Sequence, residues 1–205
     1  MKIISPHFTI ESQINGTEIL KLIEQAGRTA YKSEDRITSG SSEKFLKMLI
    51  NRGHYSVIEH YSITVRVLCD RGVTHEIVRH RLASYTQEST RYCNYSKGKF
   101  GNELTIIKPC FWKEDDEKYR IWKETILVIE ESYKKLIEKG ATPQEARSVL
   151  PNSLKTEIVM TMNLREWRHF FELRTSEGAH PQMREIAIPI LKEFQNQIPI
   201  IFDDI

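Results

Sequence analysis

Cysteine is scarce in this 205-residue sequence, which has three, at Cys69, Cys93 and Cys110. The number is odd and no two of them form a C-x-x-C pair, so neither a disulfide framework nor a zinc ribbon is expected. An excess of charge of one sign is also lacking, because 30 Lys and Arg face 28 Asp and Glu and leave a formal net charge of +2. This balance argues against a generally basic nucleic-acid binder, but it leaves room for local pockets that hold small anions.

Long hydrophobic runs are absent as well. No apolar stretch approaches the length that a transmembrane helix needs. The start of the chain, MKIISPHFTIES, lacks the apolar segment of a signal peptide. Internal repeats, low-complexity segments and convincing linkers are missing too. Since 40% of the residues are hydrophobic, the chain can bury a sizeable core. We therefore expect one domain over residues 1–205 in a soluble protein with a cytoplasmic location.

Apolar residues spaced three and four apart predict helices over 17–30, 42–52 and 113–139, the last ended by Gly140. Capping signals predict three further helices, from Asp70 to about residue 82, from Thr142 to a point before Pro151, and from Asn163 through Arg174. A last helix is predicted from near Gln182, with a kink or break at Pro189.

Alternating apolar and polar residues predict half-buried strands over 61–69 and 154–162. Two polar stretches, 32–42 and 94–103, are typical of loops within one domain. The predicted class is α+β, with an antiparallel sheet flanked by helices.

Five arginines fall between residues 66 and 91, in a protein whose overall charge is nearly balanced. The guanidinium group offers a planar set of donors that suits phosphate. Hydroxyl groups at 84, 86, 89 and 90 and the amide of Gln87 could complete an anion site. The alternative is a solvated, charged helix end followed by a polar loop.

Metal and flavin-stacking interpretations are weaker. His75-Glu76 begins like the H-E-x-x-H motif of zinc enzymes, but the fifth residue is Arg79, so no metal site is predicted. Trp122 and Tyr133 lie at helical spacing and are interpreted as core or subunit-interface residues rather than as a flavin-stacking stripe.

Segment 79–92 resembles the signature of flavin-dependent thymidylate synthases, R-H-R-x-x-S-x-N-x-x-S-x-R-Y. Thr86 stands where the family usually has asparagine, and Gln87 replaces a common glutamate. Other family elements resemble His54-Tyr55-Ser56-Val57-Ile58-Glu59-His60, Glu145-Ala146-Arg147 with Leu150-Pro151, Asn163-Leu164-Arg165 and Leu173-Arg174. A short insertion follows Arg174, which makes His180 and Gln182 the counterparts of a family histidine and glutamine.

The resemblance implies reductive methylation of dUMP to dTMP, with methylenetetrahydrofolate as the carbon donor and NADPH as the reductant through FAD. It also implies a homotetramer with active sites between subunits. The residues that would contact FAD are Ser56, Arg79, His80, Arg81, Gln87, Asn163, Arg165 and His169. His54 would be a further contact of folate or flavin, although a lone histidine is more often a packing or capping residue.

The resemblance also assigns the nucleotide site. Its residues would be Glu76, Ile77, Val78, Arg79, Gln87, Glu88, Ser89, Thr90, Arg91, Arg147 and Arg174. Backbone amides in the turn 87–91 would grip the phosphate. Arg174 would be the catalytic residue, stabilising negative charge that develops on the pyrimidine ring. Without the family, Arg147 would simply pair with an acid such as Glu145, and Arg174 would cap the end of its helix.

Two other functions remain open from the sequence. One is a related FAD- and folate-dependent enzyme that methylates or hydroxymethylates another pyrimidine nucleotide, since Thr86 and Gln87 both depart from the family in the nucleotide loop. The other is a non-catalytic RNA-binding module that uses the arginine-rich segment with Tyr92 or Tyr95 for stacking.

Overall fold

A computed structural model describes the backbone of residues 1–205 and every side chain except that of Lys99. Its helices are α1 (Gly16–Thr29), α2 (Ser41–Asn51), α3 (Arg71–Ile77), α4 (Glu117–Glu138), α5 (Pro143–Ala146), α6 (Leu164–Arg174), α7 (Pro181–Gln197) and α8 (Pro199–Phe202). Its strands are β1 (Lys2–Ile4), β2 (His7–Ile10), β3 (Ser62–Asp70), β4 (Ala83–Gln87), β5 (Thr105–Ile107) and β6 (Lys155–Asn163). Short 3₁₀ helices cover Glu34–Arg36, Tyr55–His60, Gly98–Phe100 and Arg147–Val149. Among the described residues, no helix is both long and apolar enough to cross a membrane.

The strands form two sheets. The larger has four strands in the order β2-β3-β6-β4, and the smaller pairs β1 with β5. The mixed class of helices and strands is confirmed. The prediction of an antiparallel sheet is wrong for β1 and β5, which run parallel with Lys2 opposite Thr105. A long stretch of chain separates these two strands, and such a crossover is what allows parallel pairing. Next to this pair, Ile106 and Leu154 form an antiparallel bridge.

The capping residues predicted from the sequence are confirmed by their hydrogen bonds. Asp70 accepts from the backbone N–H of Val73 at 2.7 Å, and Asn163 accepts from that of Glu166 at 2.9 Å. At the start of α5, the Glu145 carboxylate accepts from the backbone N–H of Thr142 at 2.7 Å, as in a capping box. The Asp70 and Asn163 side chains each satisfy a backbone N–H that has no partner inside its helix.

One predicted helix end is wrong. The helix after Asp70 ends at Ile77 rather than near residue 82, because the chain turns there and enters β4 at Ala83. Of the kink or break predicted at Pro189, the break is not found, because the last long helix continues to Gln197. Its buried face extends on both sides of the proline, through Met183, Ile186, Ile190 and Phe194, and this packing outweighs the loss of one helical hydrogen bond.

The chain divides into two compact units. Unit 1 comprises residues 1–7, 67–79 and 86–158. Its core packs the inner face of α4, with Ile126 and Tyr133, against Ile106 and Leu154. Trp122 is partly buried against the same cluster. The interpretation of Trp122 and Tyr133 as core residues is therefore confirmed.

Unit 2 comprises residues 8–66, 80–85 and 159–205. Its core is aromatic and centres on α6. The Trp167 ring lies 5.4 Å from those of Phe170 and Phe171 and 5.0 Å from that of Phe194. The Trp167 Nε1–H donates to the carbonyl oxygen of Ile63 at 3.0 Å. This bond satisfies the polar edge of the indole and joins α6 to β3.

A buried arginine connects α6 to the segment that follows α7. Arg168 is 4% exposed and donates two hydrogen bonds to the Asp204 carboxylate, at 2.6 and 2.8 Å. It also donates to the carbonyl oxygen of Ile201. Its guanidinium lies over the Tyr55 ring, 5.1 Å from the ring centroid. A desolvated guanidinium needs these partners because its charge cannot be removed by deprotonation.

Replacing Asp204 with asparagine is expected to lower the stability of the folded chain at pH 7. Breaking a fully buried ion pair costs about 3–5 kcal/mol, but the Asp204 side chain is 54% exposed, so we expect about 1–2 kcal/mol. The hydrogen bond from Arg168 holds the pKa of Asp204 below its ordinary value of 3.8. A carboxyl whose pKa is lowered by folding stabilises the protein above that ordinary value, and the stabilisation is lost as the pH falls through the lowered one.

Urea unfolding at pH 7, 5 and 3 measures this effect. The difference between wild type and Asp204→Asn should be equal at pH 7 and pH 5 and smaller at pH 3. Asp203→Asn, at an exposed neighbouring carboxylate, is the control and should match wild type. A difference that does not change between pH 7 and pH 3 would contradict the ion-pair explanation.

Candidate functional site

The predicted FAD contact His80 is buried at the centre of a hydrogen-bonded chain within unit 2. The residue is 4% exposed. Its Nδ1 lies 3.0 Å from Oε1 of Glu166, and its Nε2 accepts from Nε–H of Arg174 at 3.1 Å. The imidazole also lies beside the rings of His169 and Phe170, with centroid distances of 5.5 and 5.0 Å.

These partners define the protonation state of His80. Burial lowers the pKa of His80 below its ordinary value of 6.5, the positive charge of Arg174 lowers it further, and the bond to Glu166 opposes the shift. The imidazole is therefore neutral at neutral pH. Since Nε–H of Arg174 can only donate, Nε2 of His80 must accept, and the single ring proton is on Nδ1. The Nδ1–H group donates a hydrogen bond to Glu166.

Tyr85 on β4 holds the backbone at the same place. Its hydroxyl donates to the carbonyl oxygen of His80 at 2.8 Å. Burial, and next the negative charge of Glu166, raise the pKa of Tyr85 to about 12. The phenol therefore remains protonated, and remains a donor, at any physiological pH.

His80, Glu166 and His169 bring three potential metal-ligand atoms within 4.8 Å of one another. Both ring nitrogens of His80 already make hydrogen bonds. The guanidinium of Arg174 next to Nε2 would also repel a metal cation. This set of donors fits a hydrogen-bonded chain better than a metal site.

A cleft of about 410 Å³ lies within unit 2, inside the size range of small-molecule sites. It brings together three of the predicted FAD contacts, Asn163, Arg165 and His169, with Tyr55 and Glu59. Its remaining lining residues are Leu82, Glu166, Arg168 and Glu172.

The predicted contacts in the cleft differ in how accessible they are. Asn163 accepts the capping hydrogen bond of α6. Arg165 and His169 are exposed in the first turns of that helix. Arg165 pairs with Glu59 at 2.6 Å, and its side chain is 54% exposed, so a phosphate could compete for it. The N-terminus of an α-helix attracts anions.

The other predicted contacts in unit 2, His54, Ser56 and Arg81, are exposed. They do not line the 410 Å³ cleft. His54 precedes the 3₁₀ helix Tyr55–His60 and makes no side-chain capping bond to it.

In unit 1, two predicted ligand contacts are tied to the fold. The Gln87 amide donates to the hydroxyls of Thr74 and Thr156, at 3.0 and 3.2 Å. Glu88 accepts from the Tyr95 hydroxyl at 2.8 Å and from Nζ of Lys155 at 2.6 Å. Burial and the charge of Glu88 raise the pKa of Tyr95, so its hydroxyl remains a donor. These side chains anchor the ends of the loop after β4.

The loop 88–93 is a tight turn. The N–H groups of Tyr92 and Cys93 donate to the carbonyl oxygen of Ser89, at 3.2 and 3.0 Å. The N–H of Arg91 donates to the Ser89 hydroxyl at 3.3 Å. Thr90 is buried, and Arg91 is exposed with its guanidinium over the Tyr92 ring. Of the amides at 87–91 that were predicted to grip phosphate, that of Arg91 already donates within the turn, and that of Glu88 donates to the carbonyl oxygen of Glu157. The exposed Arg91 is the accessible cation of this turn.

The remaining predicted nucleotide contacts differ in their exposure to solvent. Ile77 is fully buried, so its side chain cannot reach a ligand. Glu76 is partly exposed, whereas Val78, Arg79 and Arg147 are exposed. The expected pair between Arg147 and Glu145 is not the arrangement found, because Glu145 bonds Thr142.

Sequence reasoning missed Glu166 and Tyr85 as parts of the site. In the sequence, Glu166 stands three residues after the capping residue Asn163, the position of a capping-box carboxylate, yet its side chain bonds His80. One signal was available. Glu166 is four residues before Phe170 and thus shares its helical face, and a carboxylate on an apolar face needs a buried partner.

Solved structures share this fold. A UMP/dUMP methylase, PolB, from Streptomyces cacaoi bound with 5-Br dUMP superimposes with a TM-score of 0.81, at 23% identity, covering 99% of this chain and 96% of that one. The same methylase bound with 5-Br UMP gives 0.79, at 20% identity, covering 99% and 95%. The architecture is therefore the one on which these nucleotide methylases are built.

The sequence comparisons show the family. A family model described as "Thymidylate synthase complementing protein" matches residues 14–200. Flavin-dependent thymidylate synthase of Pyrococcus furiosus is 40% identical over 173 residues, 84% of this chain and 70% of the relative. The enzyme of that name from Pyrococcus abyssi is 37% identical, covering 79% and 66%, and that from Geobacter sulfurreducens is 32% identical, covering 87% and 78%. The chain belongs to the flavin-dependent thymidylate synthase family, as the signature in segment 79–92 predicted.

Proposed function

We propose that this protein catalyses the reductive methylation of dUMP to dTMP, with methylenetetrahydrofolate as the carbon donor and NADPH as the reductant through FAD. The observation that carries the proposal is the bond between buried His80 and Arg174. This bond joins segment 79–92 to Arg174, and both resemble elements of the family. The match over residues 14–200 supports the same activity.

The unit 2 cleft has the chemistry that FAD requires. Arg165 and the N-terminus of α6 suit the pyrophosphate, and Tyr55 adds an aromatic face. His169 is exposed above the same helical turn. Bound FAD supplies the reducing equivalents and the flavin chemistry of one-carbon transfer. Ser56, Arg81 and, in unit 1, Arg79 and Gln87 are further contacts in the proposal, with His54 placed at folate or flavin.

The chain's own groups would bind and polarise the nucleotide. Arg91 and Ser89 in the unit 1 turn are proposed to hold the phosphate. Arg147, Glu88 and the exposed end of α3 are proposed as further contacts. Arg174 is proposed to stabilise the negative charge that develops on the pyrimidine ring, an interaction that strengthens only as the charge forms.

The decisive assay has two steps. Purified protein is titrated with FAD and dUMP, and a methyl-transfer reaction with dUMP and UMP in competition follows. A yellow protein absorbing at ~450 nm, as flavins do, with dTMP as the product, is expected. Preferred methylation of UMP would instead establish the related nucleotide enzyme, and exposed Thr86 would then be the first residue to test. A colourless protein with salt-dependent RNA binding would establish the RNA-binding alternative.

Residues 1–205 are proposed to act as one domain, and four copies are proposed to form a cytoplasmic homotetramer with shared active sites. Light scattering should then report four times the 24.1 kDa mass of the chain. A stable monomer with full activity would refute the shared-site proposal.

No enzyme side chain is expected to attack the pyrimidine ring covalently. A cysteine nucleophile needs activation by a base or a positive environment. Cys69 is buried, and burial raises the pKa of its thiol. The Ser89 hydroxyl accepts a hydrogen bond within its own turn. Ser89→Ala should weaken nucleotide binding but keep measurable turnover, and Cys93→Ala should be nearly silent.

Mass spectrometry of enzyme denatured during turnover tests this expectation. Neither Ser89 nor Cys93 should carry a nucleotide adduct. An adduct on either residue, formed as fast as the enzyme turns over, would show that the proposed non-covalent route is wrong.

A further inference from the structure

We propose that Glu166 is a positioning residue for the reaction, acting on Arg174 through His80. The inference rests on the proposed function, because it assigns Glu166 a part in the same site. Glu166 also lines the unit 2 cleft, but its part in the reaction would be exerted through its bond to His80. Its effect would be to set the direction in which the Arg174 guanidinium points.

Glu166 is a buried carboxyl group with a specific hydrogen-bond partner. Its side chain is 8% exposed, and Oε1 lies 3.0 Å from Nδ1 of His80. Glu166 is in the first turn of α6, where the helix dipole favours a negative charge. The capping bond at this end is made by Asn163 to the backbone N–H of Glu166. In a capping box, the carboxylate at this position would accept from the backbone N–H of the N-cap residue. Here it bonds the side chain of His80 instead.

The proton position on His80 depends on this carboxylate. Glu166 accepts a hydrogen bond from Nδ1–H, which keeps the ring proton on Nδ1 and leaves the lone pair of Nε2 for Nε–H of Arg174. In the other tautomer, Nε2–H would face the Nε–H of Arg174, and two donors would meet. A carboxylate that selects one histidine tautomer for a partner on the far side of the ring is a known device of catalytic and metal sites.

The helix alone would not hold Arg174 in one direction. Glu166 and Arg174 are at opposite ends of α6, separated by eight residues or about 12 Å of helix. Arg174 is its last residue, and its long side chain has many rotamers. His80, supplied by the segment before β4 and held there by Tyr85, connects the two ends. The chain Glu166–His80–Arg174 therefore restrains the guanidinium from the opposite end of the helix.

Three substitutions test the proposal. Glu166→Met keeps the volume and removes the acceptor, Glu166→Ala removes both, and Glu166→Gln restores an acceptor through its amide oxygen. For methionine and alanine, kcat should fall about 10–100-fold, as when partners that orient a catalytic ligand are removed, with the KM for dUMP nearly unchanged. Because Glu166 lines the proposed FAD cleft, kcat is measured at saturating FAD. Loss of an interaction formed in the transition state lowers kcat without raising KM. Glutamine should restore most of kcat.

The matched control is Glu43→Ala. Glu43 is the first-turn acid of α2, as Glu166 is of α6, but it is exposed. Its replacement removes the same favourable charge from a helix N-terminus, and kcat should stay within about twofold of wild type, as for most surface substitutions.

The second readout is the ¹⁵N NMR spectrum of protein labelled at histidine, which reports the tautomer of His80 without turnover. Wild type should show the proton on Nδ1. Whichever of the methionine and alanine variants folds should lose that single state, together with kcat. A wild-type tautomer in that variant, a tautomer change with unchanged kcat, or failure of both variants to fold would overturn the proposal. If wild type shows the Nδ1–H state but methylates no nucleotide, the proposed function fails while the hydrogen-bonded chain stands.

Discussion

Replacing Arg174 with alanine is expected to lower the rate of dUMP methylation about 10²–10³-fold, the range found when one donor to a developing negative charge is removed. FAD binding should remain, because Arg174 does not line the cleft that contains Arg165 and His169. The loss should occur in kcat and kcat/KM together, since the charge that Arg174 meets is formed during the reaction. Stopped-flow measurement of methyl transfer, with a separate FAD titration, checks both parts.

Two further variants sharpen the test of Arg174. Arg174→Lys keeps the positive charge but loses the planar group and the Nε–H that bonds His80, so it should recover little activity. Arg52→Ala removes an exposed arginine at the end of α2, a comparable place in a helix, and should behave like wild type. Normal turnover in Arg174→Ala would remove this residue from the reaction.

Replacing Trp167 with alanine is expected to produce the largest loss of stability, about 3–5 kcal/mol. Trp167 is fully buried and contacts three aromatic rings in unit 2. The substitution removes those contacts and leaves a cavity. It also leaves the carbonyl oxygen of Ile63 without the indole donor. The urea midpoint of unfolding, followed by circular dichroism, measures the loss.

The hydrogen bond and the packing can be separated. Trp167→Phe keeps most of the ring and removes the donor, so it should cost about 1–3 kcal/mol. Tyr31→Ala, at a residue that is 75% exposed, should change stability by less than about 0.5 kcal/mol. If Trp167→Ala unfolds at the wild-type midpoint, α6 is not the centre of this core.

The longer elements of the fold were predictable because their signals are local. The helices α1 and α4 and the strands β3 and β6 show apolar periodicity over nine or more residues. The caps at Asp70, Thr142 and Asn163 join groups three residues apart, so they were predictable as well. The end of α3 was not, because it depends on β4. The continuity of α7 through Pro189 was not either, because it depends on buried contacts on both sides of the proline.

The short strands depend on distant partners. β1 and β5 have three residues each, too few to show a period. Their parallel register places Lys2 opposite Thr105, which is far away in the sequence. β4 lies in the arginine-rich segment. The polar side chains there suggested an anion site, and they leave no clear alternation of apolar and polar residues from which to predict a strand. In both cases, the hydrogen bonds that define the strand come from chain that is remote in sequence.

For the site, the sequence by itself determined the family and the chemical types of the groups, because a long motif specifies residues at fixed spacing. The tertiary structure decided what those groups do. His80, which was predicted as a ligand contact, is buried between Glu166 and Arg174, which are 86 and 94 positions away. Gln87 and Glu88, also predicted as ligand contacts, make hydrogen bonds that hold the loop after β4. A hydrogen bond depends on atoms about 3 Å apart in space, and the spacing of residues along one segment carries no information about a partner that another segment supplies.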